Sequence, residues 1–170
     1  MRKNAGWILA LCTCALANGC ATYKEPSGGS IGQIRFVTSG SALVQTFDPT
    51  NCGAGRTRIA ALGARLNSSG RKKMGMPLGA EFEDLRVTEV SIPTNQSFYF
   101  SMSVSYGNTV ATSCNVDVRL DPSPGGIYEA AFEYRDHKGR VEVNEIVADG
   151  DGKYRRVRTQ AATQYECRKG

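Results

Sequence analysis

Between Phe98 and Tyr106 the chain changes character at every residue. Phe98, Phe100, Met102, Val104 and Tyr106 alternate with Tyr99, Ser101, Ser103 and Ser105. A period of two is the period of a strand, whose successive side chains leave opposite faces. One face of this strand is apolar and the other carries hydroxyls, so one side belongs in a core and the other toward water. Similar, shorter alternations recur. Ile34 and Phe36 share a face, and Leu43 to Phe47 reads as their hairpin partner across Thr38-Ser39-Gly40-Ser41. Residues 56–66 read as a strand, with a short helix as the rival. Leu85 to Ile92 shows a parity change near Glu89 and Val90 that suggests a bulge. Val116, Val118 and Leu120 form one face, and Tyr128, Ala130, Phe132 and Tyr134 another. Asp136-His137-Lys138-Gly139 reads as a hairpin turn with its glycine in the left-handed position, and Val141 and Val143 pair back. Asp149-Gly150-Asp151-Gly152 turns into a last strand, Tyr154 to Thr159. Close spacing, half-polar strands and no long helical stripe predict an all-β fold, an antiparallel β-sandwich of about eight strands.

The first twenty residues follow a different rule. Arg2 and Lys3 precede an apolar run, Gly6 to Ala17, and Leu16-Ala17-Asn18-Gly19-Cys20 closes it. A basic start, a short apolar stretch and small residues before a cut site form the layout of a secretory signal. About twelve apolar residues are too few for a membrane span, which takes ~20. The segment resembles a bacterial lipoprotein signal, in which the cysteine after the small-residue box is acylated and becomes the N-terminus. Gly19 and Cys20 fit that box, while Ala17 stands where the family usually carries Leu. Cys14 is a second candidate cut site, and soluble export without acylation is a third reading. The resemblance implies lipidation at Cys20, palmitate among the acyl chains, and a stable anchor, since several chains hold where one holds weakly. Ala21, in place of an inner-membrane-retaining Asp, implies the outer membrane, facing the periplasm. The expected organisation is therefore a signal helix over 1–19, a lipidated cysteine and flexible tether over 20–30, and one domain over 31–170.

Removing residues 1–19 leaves 151 residues, enough for one core, and lowers the net charge from +5 to +3. Two basic clusters stand out, Arg71-Lys72-Lys73 and Arg155-Arg156 with Arg158. They are candidates for binding an anionic glycan, phosphate or lipid headgroup, against the plainer reading of solvated faces or protected strand edges. Nucleic acid is a poor partner for an exported, tethered domain. With Cys20 acylated, Cys52, Cys114 and Cys167 remain, and an oxidising compartment makes one disulfide and one thiol the simplest arithmetic. Three pairings are open; one through Cys167 would tie down the C-terminal tail.

Catalytic patterns are thin. His137, the one histidine, sits in an expected turn, whereas a Ser-His-Asp mechanism needs a held, partly buried imidazole. Cys52-Gly53-Ala54-Gly55 lacks the third glycine of a dinucleotide loop. Asp149-Gly150-Asp151-Gly152 lacks the distal glutamate of a calcium loop. Glu81, Glu83 and Asp84 read as a solvated acidic loop rather than a glycosidase pair. No cofactor or metal site is expected.

Two further segments carry a resemblance. Lys73-Met74-Gly75-Met76-Pro77-Leu78 with Val90 to Phe100, and Cys114-Asn115-Val116-Asp117-Val118 with Pro122 to Glu129, are similar to small Gram-negative bacterial lipoproteins. Their turn-then-strand phrasing also resembles carboxypeptidase-regulatory and PEGA-type domains. That resemblance implies a non-enzymatic envelope protein with a structural or binding role. The alternative is a periplasmic accessory factor or inhibitor that binds another protein, as lysozyme-inhibitor lipoproteins do.

Overall fold

The computed structural model describes residues 22–51, 55–63, 70–106 and 112–166. The signal helix, Cys20, Cys52, Cys167 and the turn at Gly107-Asn108 lie outside the described residues. The fold is all-β. Ten strands form two five-stranded sheets: β1 (Ile31–Thr38), β2 (Ala42–Thr46), β3 (Thr57–Leu62), β4 (Val87–Pro93), β5 (Phe98–Tyr106), β6 (Thr112–Leu120), β7 (Ile127–Arg135), β8 (Lys138–Ala148), β9 (Tyr154–Arg158) and β10 (Ala162–Gln164). The first sheet runs β4-β1-β7-β8-β9 and the second β10-β6-β5-β2-β3. Among the described residues there are ten strands where about eight are expected. The unexpected β10 is three residues long, too short for alternation to register.

The inner faces share one core. Ile34, Phe36, Ile92, Tyr128 and Phe132 of the first sheet pack with Val44, Phe100, Met102, Val118 and Leu120 of the second. Phe36 meets Phe100 edge-on across the seam at 5.1 Å, a favoured aromatic geometry. The apolar face read from Phe98 to Val104 is this surface, and each of its residues up to Val104 is buried.

Three local expectations are corrected. β1 and β2 are not a hairpin: β1 lies between β4 and β7, β2 between β3 and β5, and the Ser39–Ser41 link crosses between sheets. The sheets are not wholly antiparallel, because β1 pairs with β7 in parallel. The bulge expected at Glu89 and Val90 is absent, since β4 runs in unbroken register against β1 from Pro93 to Val87. The parity change there has another cause. All of Val87 to Ile92 is buried, so both faces of β4 are covered. The irregularity falls instead between Val44 and Gln45.

The hairpin at Asp136 and His137 forms as expected, but with a different residue choice. Asp136 and His137 themselves take positive φ, 52° and 61°. Two left-handed residues make the turn whose twist suits a two-residue hairpin, so Gly139 is not needed for the turn. Gly139 serves packing instead: a Cβ there would lie 2.7 Å from Cys114 Sγ.

The stretch expected to be a flexible tether is pinned at its start. Tyr23 N–H donates to Arg58 O of β3 at 2.8 Å, and its hydroxyl donates to Ser91 O of β4 at 2.9 Å. Glu25 accepts the Ser91 N–H at 2.9 Å and Lys72 Nζ at 3.0 Å. The ring of Tyr23 meets Phe98 edge-on at 6.0 Å. Tyr23 and Glu25 thus join β3 and β4, the edge strands on one side of the two sheets. They satisfy donors and acceptors that an open edge would present to another chain.

Candidate functional site

The largest concentration of chemistry lies on the outer face of the first sheet. Alternation sends Ile34 and Phe36 into the core and Arg35 the other way. On a half-covered sheet Arg35 would be solvated; here it is fully buried. Its cover is the segment 71–86, which crosses the sheet and ends in a one-turn 3-10 helix, Asp84–Arg86. The strap is tied along β4: Glu89 N–H donates to Lys72 O at 2.7 Å, and Lys72 N–H to Thr88 Oγ1 at 3.1 Å.

Register brings the charges together. Arg35 stands opposite Glu89 on β4 and opposite Glu129 on β7. Its Nε donates to Glu89 Oε1 at 2.9 Å and its Nη1 to Glu129 Oε2 at 3.1 Å. Its Nη2 donates to the carbonyls of Met76 and Pro77 at 2.7 and 2.8 Å. Glu129 also receives Arg156 of β9, from Nε at 2.6 Å and from Nη2 at 3.1 Å. Arg156 completes the row by pairing with Glu81 of the strap. Phe82 lies beneath both guanidinium groups, with centroids 5.5 Å from Arg35 and 5.6 Å from Arg156, within cation–π range. Gly79 is required where the strap passes over Arg35, because a Cβ there would lie 2.8 Å from Nη2.

The electrostatics favour ions that stay ions. Burial pushes the Glu89 carboxyl up, but the Met74 amide, Arg35 and the Met76 amide outweigh it and hold it below the ordinary range. Glu129, then Glu81, raises Arg156 against the opposing effect of burial. A general acid at neutral pH needs a carboxyl raised toward the working pH, and Glu89 is moved the other way. These contacts hold the strap on the sheet.

The candidate anion-binding residues are dispersed among these contacts. Lys72 pairs with Glu25, Lys73 with Asp84 at 2.5 Å, and Arg156 with Glu129. Arg71 Nη1 is buried with no hydrogen-bond partner among the described residues. Arg155 and Arg158 are exposed on β9. Of the acidic loop, Glu81 and Asp84 are ion-paired to Arg156 and Lys73 rather than merely solvated. His137 is exposed in its turn, its Nδ1 3.5 Å from the Tyr134 hydroxyl.

The second sheet's outer face is different. Tyr99, Phe47 and Tyr165 form an aromatic cluster with centroid separations of 5.2 to 5.9 Å. Arg56 lies over Phe47 at 4.8 Å and clasps Asp117 with two bonds of 3.0 Å. The serine face of β5 is not simply open: Ser101 is fully buried, its Oγ without a partner among the described residues. Sequence reading missed both outer layers. The available signal was the apolar content of the strap, Met74, Met76, Leu78 and Phe82, in a stretch that otherwise reads as loop.

Among the described residues no helix is long and apolar enough to cross a membrane, and no group of three or more His, Cys, Asp or Glu is placed to hold a metal ion. In comparisons with protein-family models, curated proteins and solved structures, the chain matches none.

Proposed function

We propose that this chain is an exported lipoprotein, acylated at Cys20 and held on the periplasmic side of the outer membrane, whose β-sandwich domain acts by binding or by structure rather than by catalysis. The observation that carries the reading is the segment Leu16-Ala17-Asn18-Gly19-Cys20 behind a basic start and a short apolar run. Its relation to the fold adds support. The chain is already fixed to both edge strands at Tyr23. Three residues from Cys20, at no more than ~3.6 Å each, limit the anchor's reach to about 11 Å. An acylated Cys20 would therefore hold the domain against the lipid surface rather than on a long leash.

The non-catalytic part rests on the ionic row. Its guanidinium groups and carboxylates are engaged with one another and with strap carbonyls and amides, which is the work of a scaffold. The test is to label cells with an alkyne analogue of palmitate and fractionate their envelopes. The parent protein should be labelled and sediment with outer membrane; Cys20→Ser should lose the label and appear in the periplasm. An unlabelled parent, or a Cys20→Ser protein still in the outer membrane, would overturn the anchor.

A further inference from the structure

The two flanks of the sandwich are finished differently. On the β3–β4 flank the strand edges are taken up: Tyr23 N–H donates to Arg58 O, Ser91 N–H to Glu25, and Glu89 N–H to Lys72 O. On the opposite flank β9 and β10 stop short. β9 pairs with β8 only from Asn144 to Ala148, and β10 with β6 only from Val118 to Leu120. Between them the chain crosses from one sheet to the other. Thr159 N–H donates to Val143 O at 3.3 Å, and Asp121 N–H to Ala161 O at 2.9 Å.

The start of β8, Lys138 to Glu142, therefore has β7 on one side and, among the described residues, no strand on the other. Alternation says which peptide groups are left open. The Val143 carbonyl faces the crossover at Thr159. Peptide groups two residues apart point to the same edge, so the N–H and C=O of Val141 and Gly139 face that way too. Such groups are a template for a further strand.

The lane beside them opens into a groove of about 290 Å³ between the sheets. Val116, Val118, Val141 and Val143 form its floor, β10 its facing wall, and Thr159 its closed end. Charged edge protection accounts for the exposed Lys138 and Arg140, but not for a valine-floored groove beside them. A compact ligand or a lipid chain would fill the groove and leave the peptide groups of Gly139 and Val141 unmet. An extended chain serves both: its backbone bonds to β8, and every second side chain is buried on the valines. Its other side chains would lie alongside Lys138, Arg140 and Glu142 on the outer face. Glu142 already pairs with Arg140 at 3.3 Å, so the charge left over there is positive.

We propose that β8 takes an extended segment of a partner protein as an added strand in line with β9. Its short apolar residues turn into the groove, and its acidic residues lie on the outer face beside Lys138 and Arg140. The inference rests on the binding role proposed above and not on the anchor.

The experiment uses the full chain with Cys20→Ser, so its outcome is independent of acylation. The probes are capped heptapeptides that alternate Val or Ile with Asp, Glu or Thr, ranked by fluorescence polarisation. The tightest binder should slow exchange of the Gly139 and Val141 amides by about tenfold or more. N-methylating one set of its alternate residues should abolish binding, because those N–H groups face β8, while methylating the other set should leave binding in place. Arg140→Glu, an exposed change, should weaken an acidic binder about threefold. The proposal is overturned if no heptapeptide binds, if the binder leaves Gly139 and Val141 exchange unchanged, or if both methylated sets bind alike. The methylation contrast needs no variant protein, so it holds even if Arg140→Glu fails to fold.

Discussion

The inner seam between the sheets and the strap-covered centre of the first sheet's outer face, Arg35, Glu89 and Glu129, are both buried, yet they are built from opposite materials. The seam is Phe36, Phe100, Met102, Tyr128 and Leu120. The outer face is Arg35, Glu89, Glu129 and Arg156 beneath a strap. Apolar burial is non-directional and tolerant of small adjustments. Buried charge is neither: it is tolerated only where every partner is present, because desolvating an unpaired ion costs several kcal/mol. One sheet thus carries a forgiving layer on one side and an exacting one on the other. The exacting layer is also the one that fixes where the 71–86 segment lies, since Arg35 reads two of its carbonyls and Glu89 two of its amides.

Several substitutions would break or sharpen that contrast. Arg35→Ala leaves Glu89 and Glu129 buried and uncompensated, and should cost about 3–5 kcal/mol in urea unfolding, with the strap released. Phe100→Ala should cost a similar ~3–5 kcal/mol through a cavity at the seam, but leave the strap's proteolytic resistance intact at temperatures where the domain is folded. Equal losses with unequal strap release is the signature of two independent layers. Were Phe100→Ala to free the strap as readily, the layers would be one unit.

Glu89→Gln keeps the shape and removes the charge, and should cost about 1–3 kcal/mol. It also carries a pH signature. The folded carboxyl is held below its ordinary value of 4.5, so the unfolded chain binds more protons in the interval between the two values. Its stabilising contribution is present in full above pH 4.5 and is lost as the pH falls through the folded value. Glu25 adds a contribution of the same sign: burial opposes it, but the Ser91 amide and Lys72 hold its carboxyl below 4.5 as well. Glu89→Gln should therefore flatten the acid limb of a stability–pH curve, and an unchanged limb would show that Glu89 is not an ion in the fold.

The smallest effect belongs to the N-terminal pin. Tyr23→Phe removes the bond to Ser91 O and should cost about 0.5–1.5 kcal/mol. The hydroxyl itself is pushed up to about 12 by burial and by the nearby Glu25 charge. An absorbance titration should find one tyrosine ionising there in the parent and missing from Tyr23→Phe.

These two layers also divide what was legible in the sequence. The seam was written in alternation: Phe98 to Val104, Val116 to Leu120 and Tyr128 to Phe132 each show their buried face within a few residues. The strand over 57–62 was readable in spite of its alanines. The outer layer was not written locally. Arg35, Glu89 and Glu129 each look like a polar residue on a solvated face, and only register, across 54 and 94 residues of chain, makes them a site. The β1–β7 parallel pairing and the split of β1 from β2 are likewise decisions about distant partners. The two-sided burial of β4 left a trace, since Val87-Thr88-Glu89-Val90-Ser91-Ile92 breaks alternation, but a bulge explains that trace equally well until the strap is seen. Of the candidate cations, Lys72, Lys73 and Arg156 sit in ion pairs whose acidic members come from other parts of the chain, Glu25, Asp84 and Glu129.

That the strap is a buried layer of the folded domain can be measured at two amides. Met74 and Met76 donate their N–H groups to Glu89 Oε2, at 2.5 and 3.3 Å. Native-state hydrogen exchange should find both protected, with Met76 approaching the β5 amides of the seam, and both losing that protection in Arg35→Ala. Exchange of Met74 and Met76 at the rate of a free chain in the parent protein would contradict the account.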